Sequence, residues 1–185
     1  MELKKREPKI FIVSGKANSG KDTTCEFMDN YIKTKGIKVL NLQISYYIKM
    51  YAKTISGWSG DEESKPRSLL QQIGTDIVRK EIDEKFFIKR IIEDIEVFSY
   101  YFDFITISDA RFPDEIDSIK DKFKNVYSIK LERPNFESNL NDNEKKHVTE
   151  TALDNYDNYD YVLVNDSSLE DLNMKAKKIV DEVLK

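Results

Sequence analysis

"KIFIVSGKANSGKDT", Lys9 to Thr23, decides the fold. The first part is a short apolar run that ends in glycine, as a buried parallel strand reads. From Lys21 to Lys35 the pattern is helical: Phe27, Met28, Tyr31 and Ile32 recur at helical spacing, and Gly36 follows as a stop. Between them lies "GKANSGKDT", Gly15 to Thr23. Strand, glycine-rich turn and helix, in that order, are the setting of a phosphate-binding loop. Gly15 and Gly20 allow backbone angles that let consecutive N–H groups point at phosphate oxygens. The helix N-terminus behind them adds a partial positive charge. Lys21 is placed to reach the β- and γ-phosphates, with Lys16, Asn18 and Ser19 in the loop around them. The competing reading is a glycine turn in some other α/β protein, and Lys21 with both flanking elements weighs against it.

One position departs from the usual G-x-x-x-x-G-K-[ST] pattern: Asp22 stands where a hydroxyl residue is expected. That hydroxyl is ordinarily a direct ligand of Mg²⁺. A carboxylate could bind the metal itself or through water. Alternatively, Asp22 is a structural acid at the first helical turn and Thr23 supplies the hydroxyl. The sequence leaves both open.

Outward from the loop, strands alternate with helices. "KVLNLQI" (Lys38 to Ile44) reads as a second strand, and Ser45 can cap a helix over "YYIKMYAKTI". Ser56 to Pro66 is a loop by its Gly, Ser and Pro content. Arg67 to Arg79 reads as a helix interrupted near Gly74, and Asp83 to Phe98 as a long helix. "FDFITISDA" (Phe102 to Ala110), "NVYSIKLER" (Asn125 to Arg133) and "YVLVND" (Tyr161 to Asp166) are further strands. Pro113 to Phe123 is a short helix, and Leu169 to Leu184 a closing amphipathic one. Pro134 to His147 is polar and aperiodic, a loop or lid. The alternation predicts one α/β domain over residues 1–185, with a parallel sheet covered on both faces.

The formal net charge of -4 argues against general nucleic-acid binding, while a local cluster of cations could still hold a small anion. Cys25 is the only cysteine, so no internal disulfide forms, and its place after the loop reads as a packed helix residue. No apolar run approaches the ~20 residues that span a bilayer. The charged start "MELKKREPK" has no signal-peptide core, so a cytoplasmic location is the expectation.

A second anion site would be built from arginines, which make forked bonds to phosphate. Arg67 opens a predicted helix, and Arg79 lies near its end. Arg111 and Arg133 each follow a strand, in "SDARF" and "LERPN". Residues just past the carboxyl ends of parallel strands converge on one crevice, which brings both beside the phosphate loop. Asp109, also at a strand end, could hold Mg²⁺ through water, or could cap the helix before Phe112 and Pro113. His147 is the sole histidine and a poor candidate for a base, because phosphoryl transfer asks mainly for positioning and charge neutralisation. Glu150 is the better candidate for orienting a substrate.

Four stretches, taken in order, resemble the deoxynucleoside monophosphate kinases of the phage type, within the P-loop kinase superfamily. They are "GKANSGKDT", "RSLLQQIGTDIVR", "SDARFPDEI" and "HVTETALDNYDNYDYVLVND". The Asp after the loop lysine belongs to that pattern. The resemblance implies a three-layer P-loop NTPase fold, its five-stranded parallel sheet ordered 2-3-1-4-5, with helices on both faces and a small lid over about residues 134–150. It implies transfer of the γ-phosphoryl of ATP, with Mg²⁺, to the 5′-phosphate of a (deoxy)nucleoside monophosphate, and it suggests a homodimer. Gly15, Lys16, Asn18, Ser19, Gly20, Lys21, Asp22, Thr23 and Arg133 then fall on the ATP side. Lys49, Arg67, Gln71, Asp76, Arg79, Arg111 and Glu150 fall on the acceptor side. Lys21, Arg111 and Asp109 carry the chemistry, and Asp22, Thr23 and Asp109 are the metal-side residues. Two features depart from the family: "YYI" precedes Lys49, and the lid carries Lys145 and Lys146 but no arginine.

The rivals share the loop. One is a kinase of another phosphorylated small molecule, such as phosphomevalonate, and another is a nucleotide-binding regulator without turnover. A GTP-dependent switch would read guanine through N-K-x-D, and "VND" at Val164 to Asp166 lacks the lysine.

Overall fold

Short apolar strands that each end at a polar turn can be buried on both faces only if helices cover them. The structure, a computed structural model, describes residues 3–134, 136 and 140–185. β1 (Lys9–Ser14), β2 (Val39–Leu42), β3 (Phe104–Ala110), β4 (Val126–Glu132) and β5 (Tyr161–Val164) form one sheet, ordered β2-β3-β1-β4-β5. Every pairing is parallel. This is the order that the family resemblance implies. β1 is central, with Ile10 opposite Ile105 on β3 and Val126 on β4.

The strand period of two splits β1 between two cores. Ile10 and Ile12 pack with Ile88, Ile91 and Ile95 of α4 (Phe86–Phe98) and Ile116 and Ile119 of α5 (Pro113–Lys122). Phe11 and Val13 pack with Met28 and Ile32 of α1 (Lys21–Thr34) and Leu172, Ala176 and Val180 of α8 (Leu169–Leu184). Cys25 joins the second core, and burial pushes its thiol well above the ordinary value. It is a packing residue, as its position suggests, and not a nucleophile.

The sequence reading needs three corrections. β2 stops at Leu42, because Ile44 and Ser45 turn to bond Asp109. The helix expected to break near Gly74 does not break. α3 (Arg67–Gln71) continues as a π-helix, Gln72–Ile82. A Cβ on Gly74 would come within 2.9 Å of Ile48 Cδ1, so this glycine lets α2 (Tyr46–Ser56) close on the π-helix. The polar stretch after β4 holds two short helices, α6 (Asp142–Lys146) and α7 (Val148–Thr151). Residues 135 and 137–139 of the expected lid lie outside the described residues. Among the described residues, no helix is long and apolar enough to cross a membrane.

One acid sits under α1. Asp29 is 8% exposed and accepts from Thr106 Oγ1 at 2.9 Å, while Asn41 Nδ2 donates to that hydroxyl. Burial raises its pKa from 3.8 to about 6, and the Thr106 bond only partly offsets this. The folded state therefore holds this proton more tightly than the unfolded chain does. The stability it gives is complete below 3.8 and lost as pH rises through about 6. Asp29→Asn keeps the Thr106 bond without the charge. Its melting temperature should match the wild type at acidic pH and exceed it by a few degrees at pH above about 7. A difference that does not change with pH would exclude this ionisation.

Candidate active site

The phosphate loop is held by its carbonyls. Gly15 has φ 155°, and a Cβ there would meet the Leu131 carbonyl oxygen at 2.4 Å, so no side chain fits. Asn165 Nδ2 donates to the Ser19 carbonyl at 2.8 Å, and Arg133 Nη1 to that of Asn18 at 3.0 Å. Lys21 Nζ donates to the carbonyls of Gly15 at 2.9 Å and Lys16 at 2.7 Å. The ammonium is thus held inside the curve of the loop. Burial and, to a lesser degree, the Arg111 charge lower the Lys21 pKa to about 8, against the opposing pull of Glu150, Asp22 and Asp109.

Two cavities flank the loop. One, of about 800 Å³, is lined by Gly15, Lys16, Ser19, Arg133, Phe136 and Lys145, among others. The Arg133 guanidinium lies 3.9 Å over the Phe136 ring. The other, of about 480 Å³, takes in Asn18, Lys21, Asp22, Lys49, Arg67, Gln71, Arg79 and Asp109. Ala17, Arg111 and Glu150 line both. At this junction Arg111 Nη1 donates to Glu150 Oε1 at 2.7 Å, and the Ala17 N–H to Glu150 Oε2 at 3.0 Å.

α3 and the π-helix together supply the side chains along one wall of the second cavity. An α-helix takes about 3.6 residues per turn, and i→i+5 bonding widens that. Arg67, Gln71, Thr75 and Arg79, spaced four apart, therefore stay on one side and all line the cavity. Asp76 does not join them. It is exposed and accepts from Lys80 Nζ at 2.6 Å on the outer face. Arg79 is fixed on several sides. It bonds Asp114 at 2.9 Å, lies 3.8 Å from Glu115 and stacks 3.9 Å over Phe112. Lys49 Nζ donates to Gln43 at 2.7 Å.

Of the two sequence readings of Asp109, near the end of β3, the helix cap is the one the structure removes. Asp109 does not cap the helix at Phe112 and Pro113. It accepts from the Ile44 and Ser45 N–H groups and from Ser45 Oγ, which fixes the turn into α2. Glu115 bonds the Arg111 and Phe112 N–H groups instead. Burial raises the Glu115 pKa to about 7. Asp22 is exposed on the second cavity's wall and accepts from Ser108 Oγ at 2.6 Å, whereas Thr23 lines neither cavity. His147 caps α7 through Nδ1, at 3.3 Å from the Thr149 N–H, and lines neither cavity.

Sequence reasoning missed Asn165, Ser108 and Glu115. Asn165 follows the last strand, so the strand-end argument that found Arg111 and Arg133 could have found it. Ser108 and Glu115 both lie in "SDARFPDEI", with no charge pattern to set them apart.

Residues 43–176 match the family described as deoxynucleotide monophosphate kinase. A protein of Acanthamoeba polyphaga mimivirus, described as "Putative deoxynucleotide monophosphate kinase", is 30% identical over 131 residues, 63% of this chain and 61% of that protein. The deoxynucleotide monophosphate kinase of Enterobacteria phage T4 is 30% identical over 118 residues, 63% of this chain and 46% of that protein. The chain thus spans about half the length of the curated relatives it matches. Among solved structures, the APS kinase of Mycobacterium tuberculosis in complex with AMPPNP and APS is 13% identical, with a TM-score of 0.56 over 97% of this chain and 99% of that one. At that identity the likeness is one of fold.

The contact at Gly15 is open to test. Gly15→Ala should lower unfolding stability by roughly 2 kcal/mol or more, from backbone strain and the clash with Leu131. Chemical denaturation measures it, and a variant as stable as wild type would contradict the close approach.

Proposed function

The chain belongs to the deoxynucleotide monophosphate kinase family, and from that membership we propose that it transfers the γ-phosphoryl group of ATP to the 5′-phosphate of a (deoxy)nucleoside monophosphate. One observation carries the reading: the phosphate loop stands between two cation-lined cavities that meet at Ala17, Arg111 and Glu150. A kinase acting on a phosphorylated acceptor needs two anion sites that meet where the group is passed.

The larger cavity, with the loop, Lys16 and Arg133, takes ATP. The smaller one, with Lys49, Arg67, Gln71 and Arg79, takes the monophosphate. An oxygen of the acceptor phosphate attacks the γ-phosphorus in line. The bond from that phosphorus to the β–γ bridging oxygen breaks, and ADP leaves with its electron pair. Such a step asks the protein for position and for positive charge on the moving group. Lys21 and Arg111 supply that charge from fixed positions, so little reorganisation is needed during transfer.

Mg²⁺ suits the oxygen donors beside Lys21. Among the described residues, no cluster of acids, histidines or cysteines could hold a metal alone, so phosphate oxygens would complete its shell. Asp22 would hold the ion, directly or through water, because it is exposed on the cavity wall. Asp109 would act through water, since three hydrogen bonds already engage its two oxygens. When bound, the ion neutralises charge on the β- and γ-phosphates.

An assay of ADP release, with ATP, Mg²⁺ and each common ribo- and deoxyribonucleoside monophosphate in turn, tests the reading. Release should depend on one or more deoxynucleoside monophosphates. A rate that none of them raises above ATP alone would point to a different acceptor. Lys21→Ala should lower turnover at least about a hundredfold with the fold intact by circular dichroism. Near-normal turnover would remove the loop lysine from the mechanism.

A further inference from the structure

The carboxylate of Glu150 lies against the phosphate loop. One oxygen accepts the Ala17 N–H at 3.0 Å, and the other accepts from Arg111 Nη1 at 2.7 Å. A loop amide and a guanidinium are the donors that a phosphoryl oxygen would take. Glu150 makes this anion-type contact from within the chain, at the junction that both cavities share. Its side chain is 11% exposed, so the two bonds are largely shielded from water. A phosphoryl group bound at the same donors would meet a like charge at contact distance. The carboxylate and the phosphate therefore exclude one another.

The element that carries Glu150 is short and contributes nothing to the core. α7 is one turn long, and none of its residues is buried. Nearby ties also run to the loop: Lys16 Nζ bonds the Glu150 carbonyl and the Asp154 carboxylate. Arg111 is better anchored, because its own N–H is bonded to the buried Glu115.

We propose that Glu150 is a built-in stand-in for the transferred phosphoryl group, holding the Ala17 N–H and Arg111 until phosphate displaces it. Arg111 then changes partner without travelling, and α7 is released from the loop as nucleotide arrives. The inference rests on the kinase reading for the identity of the phosphate, but its test does not need an acceptor. Competition by a tethered carboxylate lowers the apparent affinity for the phosphates.

Calorimetric titration of the full chain with inorganic tripolyphosphate and with ATP, in the wild type and in Glu150→Gln, tests this. The amide keeps the shape and loses the charge. Both ligands should bind about fivefold to tenfold tighter to the variant, while adenosine should not. Equal or weaker tripolyphosphate binding by a folded variant overturns the proposal, because a Glu150 that merely props Arg111 would give that result. Should the variant fail to fold, the wild type decides. Tripolyphosphate should shift the amide resonances of both Ala17 and Thr149 to Thr151, and a shift at Ala17 alone overturns displacement. The two readings can fail separately. Tighter tripolyphosphate binding with no monophosphate-dependent ADP release would keep the stand-in and discard the nucleotide acceptor.

Discussion

The Leu131 carbonyl lies so close to Gly15 that no side chain can stand between them. That contact seats the end of β1 against β4, and the site is assembled around it. The carbonyls of the loop are then used up one by one. Gly15 and Lys16 take Lys21, Asn18 takes Arg133 and Ser19 takes Asn165. The Gly20 carbonyl accepts from Thr24. Backbone polar groups must be paired when buried, and here the acceptors are paired by the protein's own donors. What the loop offers its concave side is therefore N–H and positive charge. Two of the residues that do this pairing, Arg133 and Asn165, come from the ends of β4 and β5, so the sheet order is itself part of the binding chemistry.

Charge in the site is concentrated and balanced. Lys21, Arg79 and Arg111 sit among Asp22, Asp109, Asp114, Glu115 and Glu150. Such pairs are weak evidence for stability, because removing them from water costs about as much as their attraction returns. Their benefit is geometric. Arg79, held by two acids and a ring, cannot swing away from the cavity, and so loses little freedom when it meets an anion. The cost falls on the ionisable groups: burial brings the lysine down to about 8 and Glu115 up to about 7. Groups displaced so far from their ordinary values mark a place where the fold accepts strain for function.

Much of the centre was legible in the sequence, and the margins were not. Strand, loop and first helix follow from apolar periodicity and glycine placement, which act locally. The strand-end rule put Arg111 and Arg133 beside the loop because parallel topology leaves few other arrangements; both line the larger cavity, while Asp109 lines the smaller. The π-helix was not legible. Gly74 within it packs closely against Ile48, a contact far away in the chain, and the sequence there reads as an interrupted α-helix. Asp76 was misplaced for the same reason, since a wider turn changes which residues share a face. The exchange of capping partners between Asp109 and Glu115 depends on how β2 meets α2, a contact between residues about 65 apart. α6 and α7 are too short to have a period at all.

The buried thiol of Cys25 has a use that follows from its solitude. It is the only cysteine in the chain, it is 1% exposed, and it sits one turn behind Lys21 on α1. A thiol reagent can reach it only when α1 lifts from the sheet, and a buried thiol is slow to ionise. Its labelling rate is therefore a clock for the opening of the helix that carries the phosphate loop. The wild-type chain thus contains a one-site reporter of how firmly its most chemically active element is seated, without any added probe.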